Sequence, residues 1–356
     1  MIDFRYHVVS IVAIFLALTV GLVIGASILS KGVADSLRSD LSKSNNQIKS
    51  QQEQINELKT QADQQDKYID DTAAQLVSGR LSGLCVALVE IAGADSNAYA
   101  DARTMIQKNA GATICSETVI NASFTTTASQ PILTTLLQEH IPHGQTLDGT
   151  AAQQGAELIA EALSTYQDVG AVPQTGGATP TAAPHTSGPP KPPASARATT
   201  TPPASTGTAG ASMTAGQALG TLQDFQTAGL ITILTQPVVG EQASLSYVQA
   251  PTSANADAEN QTYLTLAESL RKDGATSVVG GSADSADKDG LVYAIINDDT
   301  ATREIGTVDD TDTTAGQVAS VFCLAIASQG TSTAAGHYGT GANNDGPIPS
   351  LSSVLG

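Results

Sequence analysis

The chain opens with a long apolar segment that constrains its fold more than any other feature. From Val8 to Leu29 it holds 22 residues without a formal charge. As a helix these residues would span roughly 33 Å, enough to cross a hydrocarbon core of about 30 Å. The alternative is a cleaved signal peptide, whose apolar region is shorter, about 7–15 residues, and follows a clearly basic start. We therefore predict a short N-terminal tail at residues 1–7 and a retained transmembrane helix at residues 8–29.

A seven-residue repeat follows the apolar segment, over residues 33–77. Six consecutive apolar residues occupy one heptad position: Leu41, Ile48, Ile55, Ala62, Ile69 and Leu76. A strict seven-residue repeat makes an apolar seam that winds around a partner helix. We therefore predict a coiled-coil stalk through which the chain self-associates as a homodimer. The alternative is a lone amphipathic helix that packs on the domain of its own chain.

Strand and helix patterns alternate in two later stretches, residues 84–168 and residues 215–330. Alternation of this kind predicts a parallel sheet covered by helices. The predicted fold class is therefore α/β, with a Rossmann-like three-layer domain after the transmembrane helix and the stalk. One doubly wound domain and two small lobes both satisfy the pattern.

Residues 171–212 and the Gly-rich C-terminal tail at 331–356 do not share this alternation. Residues 171–212 contain 9 of the 15 prolines and no acidic or aromatic residue. Such a segment buries too little apolar surface to offset its chain entropy, so we predict a disordered insert. Its Pro/Ser/Thr/Ala composition suits an exposed place outside the cytoplasm. We accordingly predict a single-pass cell-membrane protein, in contact with lipid, whose C-terminal domain is extracytoplasmic.

The charge and the missing motifs argue against several functions. Sixteen Lys and Arg residues against 34 Asp and Glu residues give a net charge of −18, which repels phosphate backbones and argues against nucleic acid as a partner. The sequence contains neither G-x-G-x-x-G nor G-x-x-x-x-G-K-[ST], the two loops that approach nucleotide phosphates. No Ser/His/Asp or paired-carboxylate arrangement can be singled out. We expect a protein that is not an enzyme and has no evident bound cofactor.

Histidines supply the candidate metal ligands. The string GHYGTG at 336–341 contains His337 and Tyr338, which we take as the candidate metal-binding residues. We favour the other interpretation, in which the three glycines of this string form tight turns that lock the tail to the domain. His140 and His143 stand three residues apart, and the proline between them prevents a regular helix, which favours a surface loop.

The three cysteines leave one question open. Cys85 and Cys115 both fall in predicted strands. If those strands are neighbours, a disulfide is geometrically possible, and buried free thiols are the alternative. Cys323 falls on an apolar helix face and is predicted to lie in the core. Copper(I) prefers thiolate and thioether ligands, and the sequence shows no cluster of Cys and Met residues.

Four parts of the chain, taken in order, resemble one known family. They are RYHVVSIVAIFLALTVGLVIGASILS at the start, the heptad repeat that follows it, and GTVDDTDTTAGQVASVFCLAIA and GHYGTG near the end, and they resemble the actinobacterial MctB family, named for mycobacterial copper transport protein B. This resemblance implies a membrane-anchored envelope protein in copper homeostasis or copper transport, and copper as a ligand is implied by the resemblance alone. Relatives called SteB imply an alternative, a non-enzymatic coiled-coil dimer that serves cell division or the envelope with a SteA-like partner. The insert at 171–212 departs from the family pattern.

Overall fold

The computed structural model of the chain describes residues 4–142, 145–165, 213–235, 244–252, 257–272, 276–330, 336–341 and 344–355. The insert predicted at 171–212 lies outside the described residues, as does His143. The chain divides into two compact units, Met1–Tyr68 and Ile69–Gly356.

A single helix, α1, runs from Phe4 to Val77. No Gly or Pro interrupts it after Gly32, and it ends where the glycine-containing turn at 78–83 begins. Its segment Tyr6–Gly25 is exposed along its whole length. Among the described residues it is the one helix long and apolar enough to cross a membrane.

Within the described residues, seven strands form one sheet in the order β3-β2-β1-β4-β5-β6-β7. In chain order the strands are β1 Cys85–Ile91, β2 Thr113–Ile120, β3 Ile231–Thr235, β4 Leu245–Gln249, β5 Thr276–Gly280, β6 Gly306–Val308 and β7 His337–Tyr338. Neighbouring strands are parallel except for β2 and β3, which are antiparallel. Strands from both alternating stretches therefore share one mostly parallel sheet, and the fold is mixed α/β.

Nine further α-helices follow α1 in the described part of the chain. They are α2 Ser96–Thr104, α3 Gln130–His140, α4 Ala151–Thr165, α5 Ala215–Thr227, α6 Asp257–Lys272, α7 Leu291–Ile296, α8 Ala301–Glu304, α9 Thr314–Ala327 and α10 Leu351–Leu355. A π-helical turn, Met105–Asn109, continues α2, and three short 3₁₀ turns lie at Ala122–Thr125, Thr127–Ser129 and Ala283–Ala286.

Side chains alternate across the sheet and build one core on each face. Val86 and Leu88 of β1 point to a core that contains the end of α1, helix α2 and helix α9. Val89 and Ile91 point to the other core, which is shared by helices α3 to α7. The sheet is therefore buried on both faces, as expected of a mostly parallel sheet.

Two strands went unpredicted because their residues are polar or few. Strand β4 is fully buried although its sequence is LSYVQ. Its Tyr247 hydroxyl donates to Gln249 Oε1 at 2.7 Å, so two polar side chains satisfy each other inside the core. Strand β7 is only two residues long and lies in the Gly-rich tail, where turns were the expectation.

Candidate functional site

The predicted metal ligands His337 and Tyr338 form the edge strand β7. The ring of His337 contacts Thr302 and Thr307: Nε2 lies 3.0 Å from the carbonyl oxygen of Thr302, and Nδ1 lies 2.9 Å from the hydroxyl of Thr307. Because a carbonyl only accepts, Nε2 donates to it and Nδ1 accepts from Thr307. Tyr338 packs on the core beside α9, and burial raises the pKa of its phenol. Both ring nitrogens of His337 are thus engaged in holding β7 to the domain.

The two C-terminal strings that resemble the MctB family meet around one carboxylate. Asp309, at the end of β6, is fully buried. It accepts from the backbone N–H groups of Thr340 at 2.7 Å and Gly341 at 3.0 Å, and from Asn344 Nδ2 at 2.7 Å. At Gly339, where φ is +130°, an added Cβ would overlap this carboxylate. The glycines of GHYGTG therefore let the tail wrap closely around Asp309.

The neighbouring Asp310 is buried but lacks a comparable set of donors. Its Oδ1 has no hydrogen-bond partner within the part of the chain that the structure describes. Burial, then the negative charges of Asp309 and Asp312, raise the pKa of this carboxyl to about 6. The folded chain therefore holds this proton more tightly than the unfolded chain does.

Replacing Asp310 with Asn is expected to stabilise the protein at neutral pH. The carboxyl titrates at its ordinary 3.8 when unfolded and at about 6 when folded, so it costs stability as pH rises through that window. The stability gain is the free energy of unfolding of Asp310→Asn minus that of the native chain. Allowing for solvent screening, we expect this gain to be about 1–2 kcal/mol larger at pH 7 than at pH 4. Chemical unfolding at both pH values measures the difference, and an equal gap at the two values would contradict it.

A series of buried hydrogen bonds links the carboxyl ends of β4, β5 and β6. Gln249 Nε2 donates to Thr311 Oγ1 at 2.9 Å, and the Thr311 hydroxyl donates to the carbonyl of Gly281 at 3.0 Å. Together with the Tyr247–Gln249 hydrogen bond, these hydrogen bonds connect three strands inside the core. They fix the loop after β6 that carries Asp309 and Asp310.

A second buried carboxylate, Glu117 of β2, lies on the α2 face of the sheet. It accepts hydrogen bonds from Tyr99 Oη at 3.0 Å and Thr235 Oγ1 at 3.1 Å, and it forms an ion pair with Arg103, whose Nε lies 3.0 Å from Oε1. Burial, and then the charge of Glu117, raises the pKa of the nearby Glu90 carboxyl. Glu117 thus joins α2 to β2 and β3, and its charge is paired with that of Arg103.

The structure contains the disulfide that the sequence left open as one of two alternatives. Cys85 of β1 and Cys115 of β2 are joined, with their Cα atoms 5.6 Å apart. The register of the two strands shifts after Val86, and Cys115 occupies the extra position. Cys323 is a free thiol buried in α9, as predicted.

The reversal of strand order lies between β1 and β4, where folds of this kind place ligands. There the Thr252 N–H donates to the carbonyl of Gly93 at 3.0 Å, so the two loops contact each other. The N-terminus of α2 is capped by the Asp95 carboxylate, which accepts from the N–H groups of Asn97 and Ala98. The position that a phosphate would take at this helix is occupied by a carboxylate.

Among the described residues, no group of three or more His, Cys, Asp or Glu side chains is placed to hold a metal ion.

His140 was expected in a surface loop, but the structure places it in a helix. It is the last residue of α3, and its side chain is only 15% exposed. Its Nε2 lies 2.9 Å from Asp224 Oδ2, and its Nδ1 lies 3.1 Å from Thr221 Oγ1. These partners lie about 80 positions further along the chain, so no local motif could have identified them.

The exposed apolar helix and the α/β domain together fit a membrane-anchored protein. Comparison with known proteins gives the family: residues 1–349 match the family described as "Copper transport outer membrane protein, MctB", and the chain belongs to it. The chain is 23% identical over 346 residues to the "Copper transporter MctB" of Mycobacterium bovis (strain ATCC BAA-935 / AF2122/97). It is equally similar to the protein of that name from Mycobacterium tuberculosis (strain ATCC 25618 / H37Rv), with 96% of this chain and 97% of the relative covered.

Proposed function

We propose that this chain is a membrane-anchored envelope protein of copper homeostasis or copper transport, without enzymatic activity. One observation carries this proposal: the match to the copper transport family covers residues 1–349 of 356, and the curated relatives named as copper transporters align over nearly their whole length. The similarity thus includes the apolar helix, the stalk and the domain together. Copper is in this proposal a transported or sequestered ion.

The proposed topology is a single pass with the α/β domain outside the cytoplasm. The segment Tyr6–Gly25 is long enough to cross the bilayer and is exposed, as a lipid-facing helix must be. The disulfide between Cys85 and Cys115 supports the extracytoplasmic side, because disulfides persist in oxidising compartments. The net charge of −18 supports a domain that avoids nucleic acid.

The proposed stalk is a homodimeric coiled coil that precedes a Rossmann-like domain. At the apolar heptad position, Leu41, Ile48 and Ile55 are 56%, 58% and 45% exposed, which leaves an apolar row open to a second copy. From Ile69 onwards the helix belongs to the domain, because Ala73 and Val77 are buried in the core beside α9. A partner helix would therefore use the part of the 33–77 repeat that lies before Ile69.

Single cysteines placed along α1 test this stalk. We expect Ile48→Cys and Ile55→Cys to form disulfide-linked dimers in native membranes under mild oxidation, because equivalent seam residues face each other in a parallel pair. Glu53→Cys, on the opposite side of the same helix, is the matched control and should remain mostly monomeric on non-reducing gels. Equal cross-linking at all three positions would contradict a defined seam.

A second candidate function is a SteB-like interaction protein that serves the envelope or cell division with a SteA-like partner. The exposed heptad row favours it, since such a row is an association surface whether or not copper is involved. The described residues also lack a group of three or more conventional metal ligands.

Growth of a deletion strain on copper separates the two candidates. The copper proposal predicts that deletion lowers the tolerated copper concentration and that the full-length gene restores it. A deletion strain that tolerates copper normally but divides abnormally would refute the copper function and favour the interaction protein.

A further inference from the structure

His140 has the environment of a metal-binding histidine on one side of its ring. Its Nε2 lies 2.9 Å from Asp224 Oδ2, which holds the proton on Nε2 and leaves the lone pair on Nδ1. Ligating histidines commonly have this arrangement, in which a carboxylate fixes the tautomer from the outer nitrogen. The ring lies at the end of α3, and the side chain retains 15% exposure through which an ion can reach it.

A thioether lies next to the same site. Met213, 3% exposed, precedes α5, and its Sδ lies 3.6 Å from Thr221 Oγ1. The Nδ1 of His140 lies 3.1 Å from the same oxygen. The backbone N–H of Met213 donates to Glu161 Oε1 at 2.9 Å, which fixes the start of α5 against α4. Imidazole and thioether, 73 positions apart in the sequence, therefore converge on one hydroxyl.

Thr221 can leave the imidazole without losing its own hydrogen bond. A hydroxyl carries one proton, and that of Thr221 has a second acceptor in the carbonyl oxygen of Gln217 at 2.9 Å. When an ion takes the lone pair of His140 Nδ1, the hydroxyl turns to Gln217. No buried polar group is then left without a partner.

We propose that His140 Nδ1 and Met213 Sδ bind one Cu(I) ion beside Thr221, with Asp224 as the group that orients the imidazole. A thioether is a soft ligand that favours Cu(I) over the harder divalent ions, and imidazole is also a common copper ligand. This inference rests on the proposed copper function and assigns that function a site between α3 and α5. The site does not include the earlier candidates His337 and Tyr338, which form strand β7 at the edge of the sheet.

Competition for Cu(I) tests the site on the full-length protein in detergent micelles. With bicinchoninate as the competing chelator, and ascorbate to keep copper reduced, we expect one Cu(I) per chain. Met213→Leu and His140→Gln should each weaken the affinity about tenfold or more. Met105→Leu, which changes a second buried methionine, is the matched control and should leave the affinity unchanged.

X-ray absorption of the copper-loaded native protein provides a readout that does not depend on how well a variant folds. We expect a sulfur and a nitrogen neighbour at copper, with the sulfur lost in Met213→Leu and kept in Met105→Leu. The absence of bound copper, the absence of a sulfur neighbour, or unchanged binding by Met213→Leu would each overturn the site. If the deletion strain is copper-sensitive while the purified protein binds no Cu(I), the site fails and the proposed function stands. If that strain instead tolerates copper normally, the proposed copper function is refuted.

Discussion

Loss of the disulfide is expected to destabilise the α/β domain by about 2–4 kcal/mol. The bond closes a loop with a sequence separation of 30 residues between two neighbouring strands. Constraint of the unfolded chain by a loop of this size is worth about 3–4 kcal/mol in the chain-entropy model. The double variant Cys85→Ala, Cys115→Ala should therefore unfold at a clearly lower denaturant concentration than the native chain, as followed by circular dichroism of the full-length protein in micelles.

Reductant provides the internal control for this prediction. It should lower the melting temperature of the native protein and leave that of the double variant unchanged, because only the native protein has a bond to reduce. Thiol labelling of the denatured, unreduced chain should find one free thiol, that of Cys323. Labelling of all three cysteines would show that the bond does not form.

The long helix and most of the sheet followed from local patterns, because those patterns are strong. An uncharged run of 22 residues and an uninterrupted heptad repeat leave few alternatives to a helix, and α1 spans both. Strands β1, β2 and β5 are runs of mostly apolar residues bounded by turns. By contrast β4 contains Tyr247 and Gln249, which become suitable for a core only through the bond between them. Such pairing depends on tertiary structure and leaves no period in the sequence.

The candidate sites were harder to predict, because each one joins distant parts of the chain. GTVDD and GHYGTG were recognised as separate strings, but their contact through Asp309 depends on β7 adding to the edge of the sheet. His140 and Met213 likewise come together only because α3 and α5 pack side by side. The glycines of GHYGTG did indicate a tight turn, and the structure explains one of them: the positive φ of Gly339 and its contact with Asp309 allow no other residue.

Replacing Asp309 with Ala is expected to cause the largest loss of stability of any single change considered. The carboxylate is fully buried, and its removal leaves the N–H groups of Thr340 and Gly341 and the amide of Asn344 without an acceptor. Hydrogen bonds to a charged group are worth about 1.5–3 kcal/mol each, and buried donors left unpaired cost about 1–3 kcal/mol. Because the tail can partly rearrange into water, we expect a net loss of about 3–5 kcal/mol in the free energy of unfolding.

The physical reason for this loss also predicts where it will be seen. Strand β7 is only two residues long and depends on Asp309 and His337 for its position, so the tail should separate before the sheet unfolds. Hydrogen exchange should therefore accelerate first at residues 337–341, and proteolysis should begin in the tail, while β1 and β4 stay protected. Asp312→Ala, which removes an exposed carboxylate from the same loop, is the matched control and should change stability by less than about 0.5 kcal/mol. If Asp309→Ala behaves like Asp312→Ala in both measurements, Asp309 does not hold the tail.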